Sequence, residues 1–240
     1  MTEHFEGDEV LGPLAADLAT ASLALARRFA AGATLWCWAP GAPQHAQHVA
    51  VEFVHPVIMG KRALPAAAIT GAGDDAVDAL RSLVVPGDVI TVLDADGDRR
   101  VNAVLRRAAS WGVSTIWIGA GERPAAGAAS HVLWRDGDPA RAMYDGTVVL
   151  VYHLLWELTH VCFEHPGLLQ EQPDDAAEVC ITCADEAGVA EVLDVGAGTA
   201  TVRTAGRMEH VDTSLVDTVA CGDLVLVHAG TAISIVDESR

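Results

Sequence analysis

The chain has 240 residues and a formal net charge of −18 at pH 7, from 33 acidic and 15 basic side chains. Such a chain repels nucleic acid and anionic membranes, because it has no basic patch to neutralise phosphates. Hydrophobic residues make up 51% of the chain. This suffices for a sizeable core, yet no run reaches the ~18 uninterrupted apolar residues of a membrane span. Five scattered cysteines do not form a disulfide framework, so we expect a cytoplasmic protein.

Up to residue 164, helical and strand-like segments alternate. The apolar spacing predicts helices over 13–31, 42–54, 99–111 and 138–164, and strands over 34–39, 63–70, 87–95, 113–120 and 131–134. Strands that alternate with helices of about a dozen residues are typical of a parallel sheet covered by helices on both faces. The first part of the chain is therefore predicted to be an α/β domain.

The pattern changes after residue 165. The remaining apolar segments are short β-like runs separated by glycine-rich turns: GVAEVLDV, TATVRTA, HVDTSLV and DLVLVHAGTAISIV. About sixty residues of this kind fit a small all-β barrel. We place the boundary near Gln172, which gives two predicted domains, 1–172 and 173–240.

Two pairs of residues in the first domain have spacings that suit a metal or acid/base site. His48 and Glu52 are four apart in AQHVAVEF, and Asp145 and His153 are eight apart in the last predicted helix. On a helix each pair lies on one side, where imidazole and carboxylate groups can share a divalent metal or exchange protons. The same spacing also fits an ordinary surface pair and a core histidine, so spacing alone leaves both interpretations open.

The segment GATLWCWAPGAPQHAQHVAVEFVHPVIMGKRALPAAAIT resembles the sugar isomerase (SIS) fold, specifically the sedoheptulose 7-phosphate isomerase branch. The resemblance implies that His48, Glu52 and His153 take metal positions and that Asp145 stands where the family has Gln. Zn, Fe(II) or Ni would suit these ligands. It also implies a homodimer or homotetramer. If the domain is an isomerase, Glu52 and His153 are the base and acid across an enediol.

Two loops depart from that family, and in the first Ala39 and Ala42 stand where the resemblance predicts Asn and Ser. In the second, where the isomerases read Ser-Thr-Ser-Gly-Asn-Ser, this chain reads DADGDRR, with Asp94, Asp96 and Asp98 in place of hydroxyl and amide groups. A phosphate dianion beside three carboxylates faces like-charge repulsion, which Arg99 and Arg100 offset only in part. We therefore expect the metal or acid/base half of the site without its phosphate half. Sedoheptulose 7-phosphate isomerase activity is kept as the alternative function.

The stretch CITCADEAG opens the second domain and places Cys180 and Cys183 three apart. A zinc ribbon needs a second pair of ligands, and no second CxxC follows. A redox dithiol belongs between a strand and a helix, whereas this pair precedes an all-β segment. Structural cysteines and a single functional sulfur therefore both remain open.

The closing segment CGDLVLVHAGTAISIVDE resembles HypC/HupF-type NiFe-hydrogenase maturation chaperones, which are OB-like barrels. The resemblance implies that a cysteine thiolate, Cys180 or Cys183, holds an Fe(CN)2CO intermediate, with support from His228. Register favours Cys183. It also implies two partners, a HypD-type maturase and the precursor of the hydrogenase large subunit. A hydrogenase maturation factor fused to an SIS-like domain is thus the expected function.

Overall fold

The computed structural model describes residues 14–71, 74–95, 97–170 and 187–236. By its internal contacts the chain divides into two compact units. The described residues of the first unit lie within Met1–Leu83, Gly87–Leu105 and Ser114–Gln170, and those of the second within Val84–Pro86, Arg106–Val113 and Glu171–Arg240. The segments 84–86 and 106–113 thus group with the second unit, although their sequence lies inside the predicted first domain. The predicted boundary at 172 lies outside the described residues.

In the described residues up to Glu164, helices and strands mostly alternate, as the apolar spacing predicts. The helices are α1 (Ala15–Ala30), α2 (Pro43–Val54), α3 (Asp74–Leu83), α4 (Arg99–Trp111), α5 (Pro139–Ala142) and α6 (Gly146–Glu164). The strands are β1 (Leu35–Trp38), β2 (Ala66–Ile69), β3 (Val89–Leu93), β4 (Ser114–Ala120) and β5 (His131–Arg135).

The five strands form one parallel sheet in the order β2-β1-β3-β4-β5. Every residue of β3 is buried, as expected for a parallel strand covered on both faces. The strand order reverses between β1 and β3, so the loops that leave their carboxyl ends meet at one edge of the sheet. The predicted α/β class is confirmed, and this edge is where a ligand site is expected.

The prediction for this part of the chain needs correction at two places. The single helix expected over 138–164 is two helices, because Asp145 caps the amino end of α6 and the chain turns between Ala142 and Gly146. Helix α3 was not predicted at all. It buries only a narrow apolar stripe, with Ala76 and Leu80 almost fully enclosed, and its acidic first turn reads as a loop.

Helix α6 is the central helix of the first unit. Its buried residues include Val148, Val151, Leu155 and Trp156, and they join the main core with α1 and α2. Among the described residues it is the helix long and apolar enough to cross a membrane by composition alone. Its buried face is the ordinary reason for that composition in a core helix.

The second unit contains a closed barrel with the strand order β10-β8-β7-β6-β9. The strands are β6 (Gly188–Val195), β7 (Thr199–Thr204), β8 (Arg207–Asp212), β9 (Leu224–His228) and β10 (Thr231–Ile235). Alternate residues such as Ala190, Val192, Ala200 and Val202 face the interior, as the period of two predicted. The barrel prediction is confirmed, with β8 starting three residues before the run HVDTSLV suggested.

Candidate functional site

Helix α2, which follows β1, carries His48 and Glu52. The loop after Trp38 turns directly into the helix, and Pro43 at the start of α2 supplies a backbone angle suited to a first helical turn. Ala46, Val49, Ala50 and Phe53 form the buried face. His48 and Glu52 lie beside that face, in a partly exposed position.

Three of the predicted ligands come together. The Nε2 atom of His48 lies 3.2 Å from Oε1 of Glu52 and 3.4 Å from Nε2 of His153, and the last two residues are separated by 3.8 Å between the same atoms. Among the described residues, these three form the group of His, Cys, Asp and Glu ligand atoms that lie within 4.8 Å of one another. The side chains of both histidines are about 40% exposed, at 39% and 42%.

These separations fit a bound metal ion. Two ligand bonds of about 2.0–2.1 Å at a tetrahedral angle place the ligand atoms about 3.4 Å apart. The three observed separations of 3.2, 3.4 and 3.8 Å bracket that distance. Two imidazoles and a carboxylate suit Zn, Fe(II) or Ni, and the exposed side of the group leaves room for a further ligand.

Asp145 does not join this group. Its Oδ1 atom accepts hydrogen bonds from the amides of Thr147 and Val148 at 2.9 and 3.3 Å, as the amino-terminal cap of α6. The guanidinium of buried Arg135 lies 3.3 Å from the same oxygen. The carboxylate therefore caps the helix, and three of the four predicted ligand residues lie together in this structure.

Two further side chains lie against the group. The hydroxyl of Tyr152 is 2.8 Å from Nδ1 of His48 and 3.3 Å from Nδ1 of His45. Burial, with a smaller contribution from Glu52, raises the pKa of Tyr152 to about 12, so the hydroxyl stays protonated. On the other side, the indole of Trp156 donates a hydrogen bond of 2.8 Å to the backbone carbonyl of Glu52. The sequence analysis did not identify His45 and Tyr152 as part of the site.

The loop after β3 is filled by the chain's own carboxylate. Oδ2 of Asp94 accepts hydrogen bonds from the amides of Gly97 and Asp98 at 3.0 and 3.1 Å, just before α4 begins. Asp98 pairs with Arg100, and this hydrogen-bonded guanidinium holds the pKa of Asp98 below its usual range. These amides are the donors that would face an anion at this helix end. Asp96 lies outside the described residues.

In the barrel, His228 ends β9 and lies opposite Thr231 at the start of β10. The two residues between them, Ala229 and Gly230, have φ angles of 47° and 77°. Both angles are left-handed, as in a two-residue type I′ hairpin, and glycine adopts them without strain. This turn fixes the half-buried His228 at the rim of the barrel. Cys180 and Cys183 lie outside the described residues, while Cys221 is exposed with its Sγ 3.3 Å from the carbonyl of Leu193.

Comparison with known families agrees with the two parts of the fold. Residues 187–240 match the model of the HupF/HypC family. The barrel is therefore a HupF/HypC-family domain. The match includes the closing hairpin that carries His228. No protein of curated function matches the sequence at a significant level.

The first part of the chain resembles solved phosphoheptose isomerases. A phosphoheptose isomerase from Francisella tularensis has 19% identity and a TM-score of 0.52, over 62% of this chain and 87% of the isomerase. One from Neisseria gonorrhoeae has 17% identity and a TM-score of 0.52, over 64% and 91% of the two chains. The chain thus fuses a HupF/HypC-family domain to a part with the phosphoheptose isomerase fold.

Proposed function

We propose that the chain is a maturation factor for NiFe-hydrogenase that acts in the cytoplasm. The observation that carries this proposal is the HupF/HypC-family match over the barrel, which includes the closing hairpin around His228. In this proposal the barrel receives an Fe(CN)2CO intermediate as its cargo and passes it to the precursor of the hydrogenase large subunit. A HypD-type maturase is the partner that loads the barrel.

The proposed docking point is a cysteine thiolate, Cys183 or Cys180. A thiolate is a soft ligand that suits low-spin iron, and metal contact stabilises its deprotonated form. The acidity of the chain does not help the thiolate to form, so the iron centre or the maturase must do so. His228 supports the cargo from the rim of the barrel.

Capture of a HypD-type maturase by the purified full chain tests this proposal. The wild-type chain should retain the maturase, and the double variant Cys180→Ala plus Cys183→Ala should lose it. Cys221→Ala is the matched control, because Cys221 is an exposed cysteine of the same unit, and it should behave as wild type. The single variants identify the thiolate, with Cys183→Ala expected to have the larger effect. Retention by the double variant would refute thiolate docking.

The first unit is proposed to contribute a divalent metal site at His48, Glu52 and His153 rather than sugar-phosphate isomerisation. The approach of Glu52 to His153 favours the isomerase alternative, because an enediol mechanism needs a base and an acid at one site. The loop after β3 opposes it, because Asp94 already accepts the hydrogen bonds that a phosphate would take. Conversion of sedoheptulose 7-phosphate by the wild type, abolished in Glu52→Gln, would overturn our choice.

We also propose that the chain forms a homo-oligomer, a dimer or a tetramer. Helix α2 and the loop after it expose apolar side chains, with Val51 52%, Val54 46%, Val57 80% and Met59 98% accessible. Exposed apolar groups so close in sequence are typical of a contact surface. Light scattering of the purified chain measures its mass, which we expect to be about two or four times the 25.1 kDa of one chain. A mass of one chain would contradict the proposal.

A further inference from the structure

A chain of hydrogen bonds runs from a backbone carbonyl of the first unit to the candidate metal site. Nε2 of His45 lies 2.6 Å from the carbonyl oxygen of Met143. The other ring nitrogen of His45 is 3.3 Å from the Tyr152 hydroxyl, which in turn is 2.8 Å from Nδ1 of His48. The chain ends at Nε2 of His48, the atom that faces Glu52 and His153.

The carbonyl end fixes the direction of this chain. A backbone carbonyl only accepts hydrogen bonds, so the proton of a neutral His45 is on Nε2, where it is donated to Met143. Nδ1 of His45 then carries a lone pair, and the Tyr152 hydroxyl donates to it. The hydroxyl oxygen of Tyr152 is left to accept from Nδ1–H of His48.

The opposite direction leaves the buried contact between Tyr152 and His45 unsatisfied, although it would let Nε2–H of His48 donate to the partly exposed Glu52. If Tyr152 donated to His48, two lone pairs would face each other between its oxygen and Nδ1 of the neutral His45. Tyr152 is only 1% exposed, so water has little access to relieve that conflict. Two buried acceptors that face each other without a proton between them are unfavourable. Water reaches His48 and Glu52, whose side chains are partly exposed, so the buried contact between Tyr152 and His45 decides in favour of the directed chain.

We propose that His45 and Tyr152 are positioning residues that hold His48 in the tautomer protonated at Nδ1, so that its Nε2 lone pair faces Glu52 and His153. Metal-bound histidines commonly donate their second ring N–H to a neighbouring acceptor, which fixes both the tautomer and the ring. Here a buried tyrosine supplies that acceptor, and His45 orients the tyrosine. The site is thereby prepared for a divalent cation before one arrives.

This inference goes beyond the proposed role of the barrel, since it concerns only side chains of the first unit. It would hold whether or not the chain serves hydrogenase maturation. In this proposal the neighbouring residues Tyr152 and His153 have different roles, since Tyr152 positions the ligand His48 and His153 is itself a ligand. Loss of maturase capture would leave the inference intact, and loss of the tautomer would leave the maturase proposal intact.

Histidine nitrogen NMR of the metal-free full chain tests the tautomer directly. In the wild type, the two-bond nitrogen–proton correlations of His48 should show the form protonated at Nδ1. In Tyr152→Phe they should change to the form protonated at Nε2, which can donate to Glu52. Substitution of His48 by Gln assigns the signals. A purely structural role for Tyr152 would leave the tautomer unchanged, and that result would overturn the proposal.

Binding of Co²⁺ alone to the full chain gives a second readout, because its visible spectrum reports tetrahedral coordination. Loss of the hydrogen-bond partner of a metal-binding side chain typically weakens metal affinity by about 10–100-fold, and we expect a loss of this size for Tyr152→Phe and His45→Phe. Their combination should be no weaker than Tyr152→Phe alone, since both act through one hydrogen-bond chain. Additive losses would contradict this linkage.

The chain offers matched controls. Its other tyrosine, Tyr144, is 74% exposed, so Tyr144→Phe should bind Co²⁺ as the wild type does, as should His55→Gln at an exposed position. His45→Asn places an amide oxygen near the position of Nδ1 and should restore most of the affinity that His45→Phe loses. If Tyr152→Phe fails to fold by circular dichroism, this Asn/Phe pair carries the test. Equal affinity for the two would overturn the proposal.

Discussion

At the scale of single residues, Asp94 shows how one side chain can alter a binding loop. It is 5% exposed, and its carboxylate lies where two loop amides converge at the start of α4. The donors are the kind that bind phosphate at helix ends, but they are occupied by an internal anion. The phosphate loop expected from the isomerase resemblance is therefore filled from within.

Removing that carboxylate should create an anion site. Asp94→Ala leaves the amides of Gly97 and Asp98 without this acceptor, which should lower the free energy of unfolding by about 1–3 kcal/mol. Inorganic phosphate at about ten millimolar should raise the melting temperature of the variant and leave that of the wild type unchanged. Sodium chloride at equal ionic strength is the control. The same phosphate response in both proteins would contradict internal occupation of the loop.

His131 should make stability depend on pH. It begins β5 beside a cavity of about 500 Å³ that is also lined by Asp17 and Arg123. Burial lowers the pKa of His131, and Asp17 only partly opposes this shift. Its contribution to stability is therefore fully present above the ordinary histidine pKa of about 6.5, and it is lost as the pH falls below that value, because the unfolded chain binds the proton more readily.

Urea unfolding at pH 7.5 and at pH 5.5 measures this dependence. The decrease in unfolding free energy between the two values should be smaller in His131→Gln than in the wild type. The control is His55→Gln, which removes an exposed histidine and should leave the decrease as it is. Identical decreases in all three proteins would show that His131 does not contribute.

At the scale of elements, the sequence predicted what apolar periodicity determines. The strands and most helices were placed within a few residues, because their buried positions repeat regularly, as Ala190 and Val192 do in the barrel. Helix α3 was missed because Ala76 and Leu80 alone give too narrow a stripe. The start of α6 was misplaced because Asp145 was interpreted as a ligand, whereas an Asp before a helix is also a strong cap.

Spacing in the sequence could predict only the part of the candidate site that lies on a single helix. His48 and Glu52 follow from their spacing on α2, and the resemblance supplied His153 from α6. The supporting role of Tyr152 depends on packing between those helices, which no local pattern encodes. Its one sequence signal is chemical: a tyrosine in an apolar helix needs a partner for its hydroxyl, and His48 supplies one at 2.8 Å.

Helix α6 carries a buried and an exposed leucine, so the effect of a Leu→Ala substitution can be compared between the two positions. Leu155 is 0% exposed and Leu150 is 42% exposed, on the same helix. Leu155→Ala should lower the free energy of unfolding by about 2–5 kcal/mol through lost burial and the cavity left behind. Leu150→Ala makes the same change in helix propensity and should cost under about 1 kcal/mol. Urea unfolding measures both, and equal losses would mean that α6 is not a core helix of the first unit.

At the scale of the whole molecule, the net charge of −18 is the property that most restricts what the chain can bind. The excess of 33 acidic over 15 basic residues is spread along both parts of the sequence. A partner protein for such a chain needs a complementary, basic or neutral surface, and nucleic acid is disfavoured. If the chain acts in hydrogenase maturation, the surfaces of the maturase and the large-subunit precursor that contact it should therefore carry no excess of negative charge.

The same charge should destabilise the folded chain when salt is low. At about 0.01 M salt the Debye length is about 30 Å, so like charges repel across the molecule, whereas at about 0.15 M it is about 8 Å. Local ion pairs such as Asp17–Arg123 at 2.8 Å weaken with salt, but each contributes only about 0–1 kcal/mol. Screening of the net charge of −18 should therefore prevail. We expect the melting temperature to rise between these salt concentrations, by about 2–4 °C for each kcal/mol gained. Choline chloride at equal ionic strength should give the same rise if screening is the cause, and a melting temperature that stays constant or falls would mean that local ion pairs dominate.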